Sequence, residues 1–105
     1  MLRYKIHVGD ALEMIDRIDK YPIDFEDLRD WDATLMRLQV IGESVKKIPN
    51  DVKDKYSELN WKKFENLRNF ISHVYARVSA KLISDTIKND LPHLKEVLRR
   101  MKNEK

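Results

Sequence analysis

The sequence predicts an all-α protein, an up-and-down bundle of four to five helices, and three observations carry that prediction. Gly and Pro together supply only five of the 105 residues while 37% are charged, so long helices joined by short turns fit better than a turn-rich sheet. Apolar residues recur at three- and four-residue spacing along most of the chain. Pro22, Pro49, Ser79 and Pro92 punctuate those periodic stretches where helices would stop or restart. A chain of this length, residues 1–105, suits one domain with one core.

The first helix is expected from about Leu2 to Asp19, with Tyr4, Val8, Ala11, Leu12, Ile15 and Ile18 on one face and Pro22 as its stop. His7 falls off that stripe and reads as a surface residue. A second helix should begin after Asp24, which can cap the free amides of the next turn while Glu26 and Asp27 complement the helix dipole. Its seam is Leu28, Trp31, Leu35, Leu38, Gly42 and Val45. Gly42 stands on that seam where Ala would contribute about 1 kcal/mol more helix propensity, which points to a close backbone approach by another helix. Glu43, the next residue, either pairs with Arg68 or faces water. Ile48, Pro49 and Asn50 close this helix, and Asp51 to Tyr56 reads as a short helical turn.

Asn60 can cap a further helix whose stripe is Trp61, Phe64, Leu67, Ile71, Val74 and Val78. Its far end is weakened by Val74, Tyr75 and Val78, and Ser79 offers a new cap, so a break is expected between Tyr75 and Ser79. The last segment packs through Leu82, Ile83, Ile87, Leu91, Leu94, Leu98 and Met101, with Pro92 either opening a helix or kinking one. His93 reads as structural or solvated.

The chain has no Cys, hence no disulfide or thiolate metal site, and no apolar run near the ~20 residues that span a bilayer. Its opening residues lack the apolar core of a signal peptide, so a cytoplasmic location is expected. Charge is unevenly spread. Residues 1–60 hold 10 Lys and Arg against 13 Asp and Glu, a net of −3, whereas residues 61–105 hold 11 against 5, a net of +6. A basic surface of that size suits a polyanion such as RNA, although a solvated helix surface with surplus Lys gives the same count.

Within the basic half, Arg68, Asn69, His73 and Tyr75 fall in eight residues, inside what would otherwise be an ordinary core stripe. On a regular helix Arg68 and Tyr75 share a face, whereas Asn69 and His73 form an i, i+4 pair with His73 about 140° round from Arg68. For Arg68 and His73 to act on one phosphate, either the helix breaks near His73 or a second copy brings its own set alongside. A two-fold dimer is the expectation, because Asn69, Phe70 and His73 lie away from the core stripe and a monomer would leave Phe70 exposed.

Cleaving RNA without a metal needs a group to take the 2′-hydroxyl proton, one to protonate the leaving oxygen, and positive charge at the phosphorus. Histidine titrates near neutrality and can be acid or base. The Arg68 guanidinium can grip two phosphate oxygens at once. Asn69 can orient the imidazole, and Tyr75 can hold phosphate or stack on a base. Read without the wider pattern, Arg68 and Tyr75 could equally flank the core and His73 could be a surface residue.

Arg68, His73 and Tyr75 resemble the Arg-X4-His-X-Tyr signature of the HepT-like toxins in the HEPN superfamily of small helical ribonucleases. Leu38 to Ser44, with Gly42 and Glu43, resembles that family's Leu-X-Ile-Ile-Gly-Glu-Ala block; Trp61 stands at its tryptophan, and Asn89, Asp90, Leu91, Pro92 and Leu94 resemble its Asn-Asp-Leu-Pro-X-Leu ending. The resemblance implies a homodimer with both motifs at the interface, acting as a metal-independent endoribonuclease toxin with no cofactor. Its implied partner is a minimal nucleotidyltransferase antitoxin that transfers AMP to Tyr75. By the same resemblance Arg68 and His73 are catalytic, Asn69 supports them, and Glu43 is a further supporting candidate. The chain departs from the pattern at Val74, where the family has Asp, and at Ala76 and Arg77, where it has an aromatic residue and Gly. Those departures bear on the shape of the loop after Tyr75. The rival reading is a non-catalytic nucleotide-binding or scaffold subunit for the nucleotidyltransferase, and a third is a helical dimer without chemistry.

Overall fold

A computed structural model describes residues 3–104; the expected helix start at Leu2 lies outside them. The described residues are helical with no strand, in the order α1 (Tyr4–Lys20), α2 (Leu28–Lys46), α3 (Asn50–Asp54), α4 (Trp61–Val74), a 3-10 turn (Tyr75–Arg77), α5 (Ala80–Asp85), a π turn (Thr86–Asp90) and α6 (Leu91–Asn103). α5, the π turn and α6 follow one another without a non-helical residue, which gives five helical rods and the all-α bundle the sequence predicts. α1 packs against both α2 and α6, and α2 against both α1 and α4.

The stripe of α1 is buried through Val8, Ala11, Leu12, Ile15 and Ile18, with Tyr4 packed on its edge. α2 begins later than expected. Asp27, not Asp24, is its cap: the Asp27 carboxylate accepts from the amides of Arg29 and Asp30 at 2.8 and 3.4 Å. Asp24 instead accepts from the Glu26 amide at 2.9 Å, closing a separate turn ahead of the helix. That shift leaves Leu28, read as a seam residue, 75% exposed in the first turn. The rest of the seam packs as expected, and Ile41, outside the predicted stripe, joins the core as well.

α4 starts at Trp61 as expected, but Asn60 makes no side-chain cap bond. The indole of Trp61 donates to the Tyr56 carbonyl at 3.1 Å and anchors the entry instead. After α4, Val78 is extended and Ser79 caps α5 by accepting from the Leu82 amide at 3.1 Å. The expected break is therefore present. Leu82, assigned to the core stripe, is on the surface, and Val97, not so assigned, is fully buried. The π turn accounts for both: one wide turn before Pro92 changes the angular phase between α5 and α6, so a single stripe cannot run through them. Pro92 sits in the first turn of α6, directly after the π turn. No helix among the described residues is long and apolar enough to cross a membrane.

Candidate active site

Gly42 sets the geometry of the site. A Cβ built on it would lie 2.4 Å from the Cβ of Arg68 and 2.8 Å from the Phe64 carbonyl oxygen, so α2 and α4 touch backbone to backbone here. No larger residue fits that crossing. The approach brings the neighbouring Glu43 to Arg68, with Nε and Oε2 3.4 Å apart and both side chains about one-third exposed. The sequence left Glu43 open between pairing and solvation; it pairs. Such a half-exposed pair contributes about 0–1 kcal/mol, so its effect is to direct the guanidinium more than to stabilise the fold.

Asn69 bonds to Arg68 as well: Nη1 donates to Oδ1 at 3.2 Å. No hydrogen bond joins Asn69 to His73 among the described residues, so here Asn69 orients the guanidinium and not the imidazole. Arginine has five N–H donors. With Nε turned to Glu43 and one Nη1 hydrogen to Asn69, the rest of the fork remains available to an anion.

Further along the same two helices, the Ser72 hydroxyl donates to Gln39 Oε1 at 2.9 Å, and the Tyr75 hydroxyl donates to the Asp32 carboxylate. The three contacts form an antiparallel ladder, Glu43 to Arg68, Gln39 to Ser72 and Asp32 to Tyr75. On α2 the three polar residues fall within about 40° of one another, a single face. Sequence reasoning missed Asp32 and Gln39. The signal that finds them is their i, i+7 and i, i+11 spacing with Glu43 beside the apolar seam.

His73 lies inside α4, one residue before its end, and is exposed. The break therefore comes too late to redirect it. Val74, at φ −131° and ψ 35°, turns the chain after His73, and Tyr75 begins the 3-10 turn. Tyr75 meets the same face of α2 as Arg68, at the other end of the ladder. Its anchor Asp32 is eleven residues from Glu43, about 16 Å along α2. Ser72, His73, Val74, Tyr75, Ala76 and Arg77 line one shallow surface depression. The Tyr75 pKa is raised above the ordinary tyrosine value, first by its hydrogen bond to Asp32, then by burial and by the Asp32 charge.

The sequence model of the ribonuclease HepT-like family matches residues 8–101, which span α1 through α6 and this whole ladder. The chain belongs to the HepT-like family. It is 33% identical over 98 residues to a Thermococcus cleftensis protein named "Probable ribonuclease HepT", covering 88% of this chain and 89% of that one. It is also 31% identical over 106 residues to a Methanocaldococcus jannaschii protein named "Gamma-glutamylcyclotransferase and putative RNase". That match takes in 95% of this chain, but the chain spans only 48% of the Methanocaldococcus protein. No solved structure matches the chain. The Gly42 crossing, the Glu43 pair and the broken end of α4 all lie within the HepT-like match.

Proposed function

We propose that this HepT-like chain is a metal-independent endoribonuclease, the cytoplasmic toxin of a two-gene toxin–antitoxin module, working as a two-fold homodimer on RNA. The observation that carries the reading is that Arg68 and His73 occupy one regular helix, five residues and about 140° apart, with Arg68 held by Glu43 and Asn69 and His73 open to solvent. A second copy supplies the missing half of each site. Phe70, 41% exposed, and Leu82, 39% exposed, edge an apolar depression beside the motif face and give such a pairing something to bury.

In that composite site, one His73 takes the proton from the 2′-hydroxyl as it attacks phosphorus. The other protonates the departing 5′-oxygen. Arg68 from each copy neutralises the charge that collects on the phosphorane oxygens. Glu43 and Asn69 hold the fork in place beforehand. The silencing partner is a minimal nucleotidyltransferase that transfers AMP to Tyr75, adding an anionic phosphodiester and a nucleoside in the depression that holds His73.

The test is cleavage of a mixed RNA in EDTA by wild type, Arg68→Ala and His73→Ala, with light scattering on the same samples. Cleavage by wild type alone, from a dimer, is the expected outcome. Wild-type activity in either variant removes that residue from the mechanism. A chain that is monomeric at micromolar concentration yet cleaves RNA removes the composite site.

A further inference from the structure

The ladder contact between Tyr75 and Asp32 has a chemical meaning that the RNA-cleaving residues do not use. Tyr75 is 48% exposed, yet its hydroxyl is fixed by the carboxylate of a residue 43 positions earlier on the neighbouring helix. A tyrosine that serves as nucleophile needs three things: a fixed direction for its oxygen, a base on its proton, and an open side for the electrophile. Tyr75 has all three. Tyr21, just as exposed at 50%, lies beneath the cationic groups of Lys20 and Arg37, and its hydroxyl has no hydrogen-bond partner among the described residues. Tyr56 does meet a carboxylate, that of Glu104, but its ring is half-buried and covered by Arg100.

We propose that Asp32 is the general base for nucleotidyl transfer to Tyr75; the proposal rests on the reading that Tyr75 is the modified residue. As the phenolic oxygen attacks the α-phosphorus of a nucleoside triphosphate, its proton passes to the Asp32 carboxylate. The bond from the α-phosphorus to the oxygen bridging it to the β-phosphorus breaks, and pyrophosphate leaves with the electron pair. Asp32 then returns the proton to water. The rise in the tyrosine's pKa fits this arrangement, since Asp32 disfavours a free phenolate and so calls for proton transfer during the attack. The product cannot keep the contact: the ester oxygen has no proton to donate, and the phosphodiester is an anion beside a carboxylate.

The test measures AMP addition by intact mass and peptide mapping after incubation with magnesium ATP and a minimal nucleotidyltransferase of the two-gene class. Wild type, Asp32→Asn, Asp32→Glu, Tyr75→Phe and Tyr56→Phe are compared, with melting temperatures recorded for each. Asn keeps the acceptor oxygen and loses the basicity, so Asp32→Asn is expected to slow transfer by about 100-fold. Asp32→Glu recovers a large part of the rate, Tyr75→Phe gains no AMP, and Tyr56→Phe behaves as wild type. Transfer to Asp32→Asn at the wild-type rate overturns the inference and leaves Tyr75 as the modified residue. So does equal loss in Asp32→Asn and Asp32→Glu, which would mean that shape and not basicity matters. If wild type gains no AMP, or gains it at Tyr56, the reading of Tyr75 fails and the inference with it.

Discussion

Replacing Gly42 with Ala sets two opposing effects against each other at one atom. In an unconstrained helix the change contributes about 1 kcal/mol of stability through propensity. Here the new methyl would stand 2.4 Å from the Cβ of Arg68, more than about 1 Å inside the ~3.5–4.0 Å of ordinary carbon contact. A Cβ cannot rotate away, and the second neighbour, the Phe64 carbonyl oxygen at 2.8 Å, belongs to the backbone. Relief therefore requires α4 to move off α2, at the high end of the ~1–3 kcal/mol typical of overpacking. The net expectation is a loss of about 1–2 kcal/mol, or roughly 4–10 °C in melting temperature for a chain of this size. Gly9 is the matched control, because a Cβ there meets nothing within 4 Å, and Gly9→Ala should stabilise by about 0.5–1 kcal/mol. Urea denaturation of both variants against wild type measures the difference. A Gly42→Ala protein as stable as wild type or more so would refute the claim that the helix crossing excludes a side chain.

Other perturbations have equally definite outcomes. Lys53 is buried with its ammonium 3.3 Å from Glu65, so Glu65→Ala, which strands that charge, should cost about 3 kcal/mol in denaturation, whereas Lys53→Met should cost distinctly less. The Tyr56 pKa is pushed up to about 12, chiefly by its hydrogen bond to Glu104, so its native state holds a proton that the unfolded chain releases near 10. Its contribution to stability is therefore whole below about pH 10 and lost as pH rises through about 12, and Glu104→Ala should bring the ultraviolet titration of Tyr56 back toward 10. Phe70→Asp should shift light scattering toward monomer while leaving helical circular dichroism unchanged, since the ring is 41% exposed in one copy. In the same assay of RNA cleavage, Glu43→Gln should reduce activity less than Arg68→Ala does, because Asn69 still holds the guanidinium.

The sequence by itself determined the all-α class, the helix order, the break after α4 and the tight spot at Gly42. Each of these is local: periodic apolar residues, Pro22, the Ser79 cap and a lone Gly on a seam act within a few residues of themselves. Where two local signals competed, spacing could not choose between them. Asp24 and Asp27 are both competent caps, and Asp27 caps α2 while Asp24 closes the turn ahead of it; Asn60 makes no cap bond, and the entry to α4 is tied instead by the Trp61 indole on the Tyr56 carbonyl. The phase of the last segment was illegible for another reason. Adding one residue to a turn at Thr86–Asp90 rotates every later side chain, which moved Val97 inward and left Leu82 outside. Of the site, the motif gave Arg68, Asn69, His73 and Tyr75 as a set, but their partners lie across α2. Spacing along α2 puts Asp32, Gln39 and Glu43 on one face, but that Glu43 meets Arg68 and Asp32 holds Tyr75 depends on how the two helices cross at Gly42.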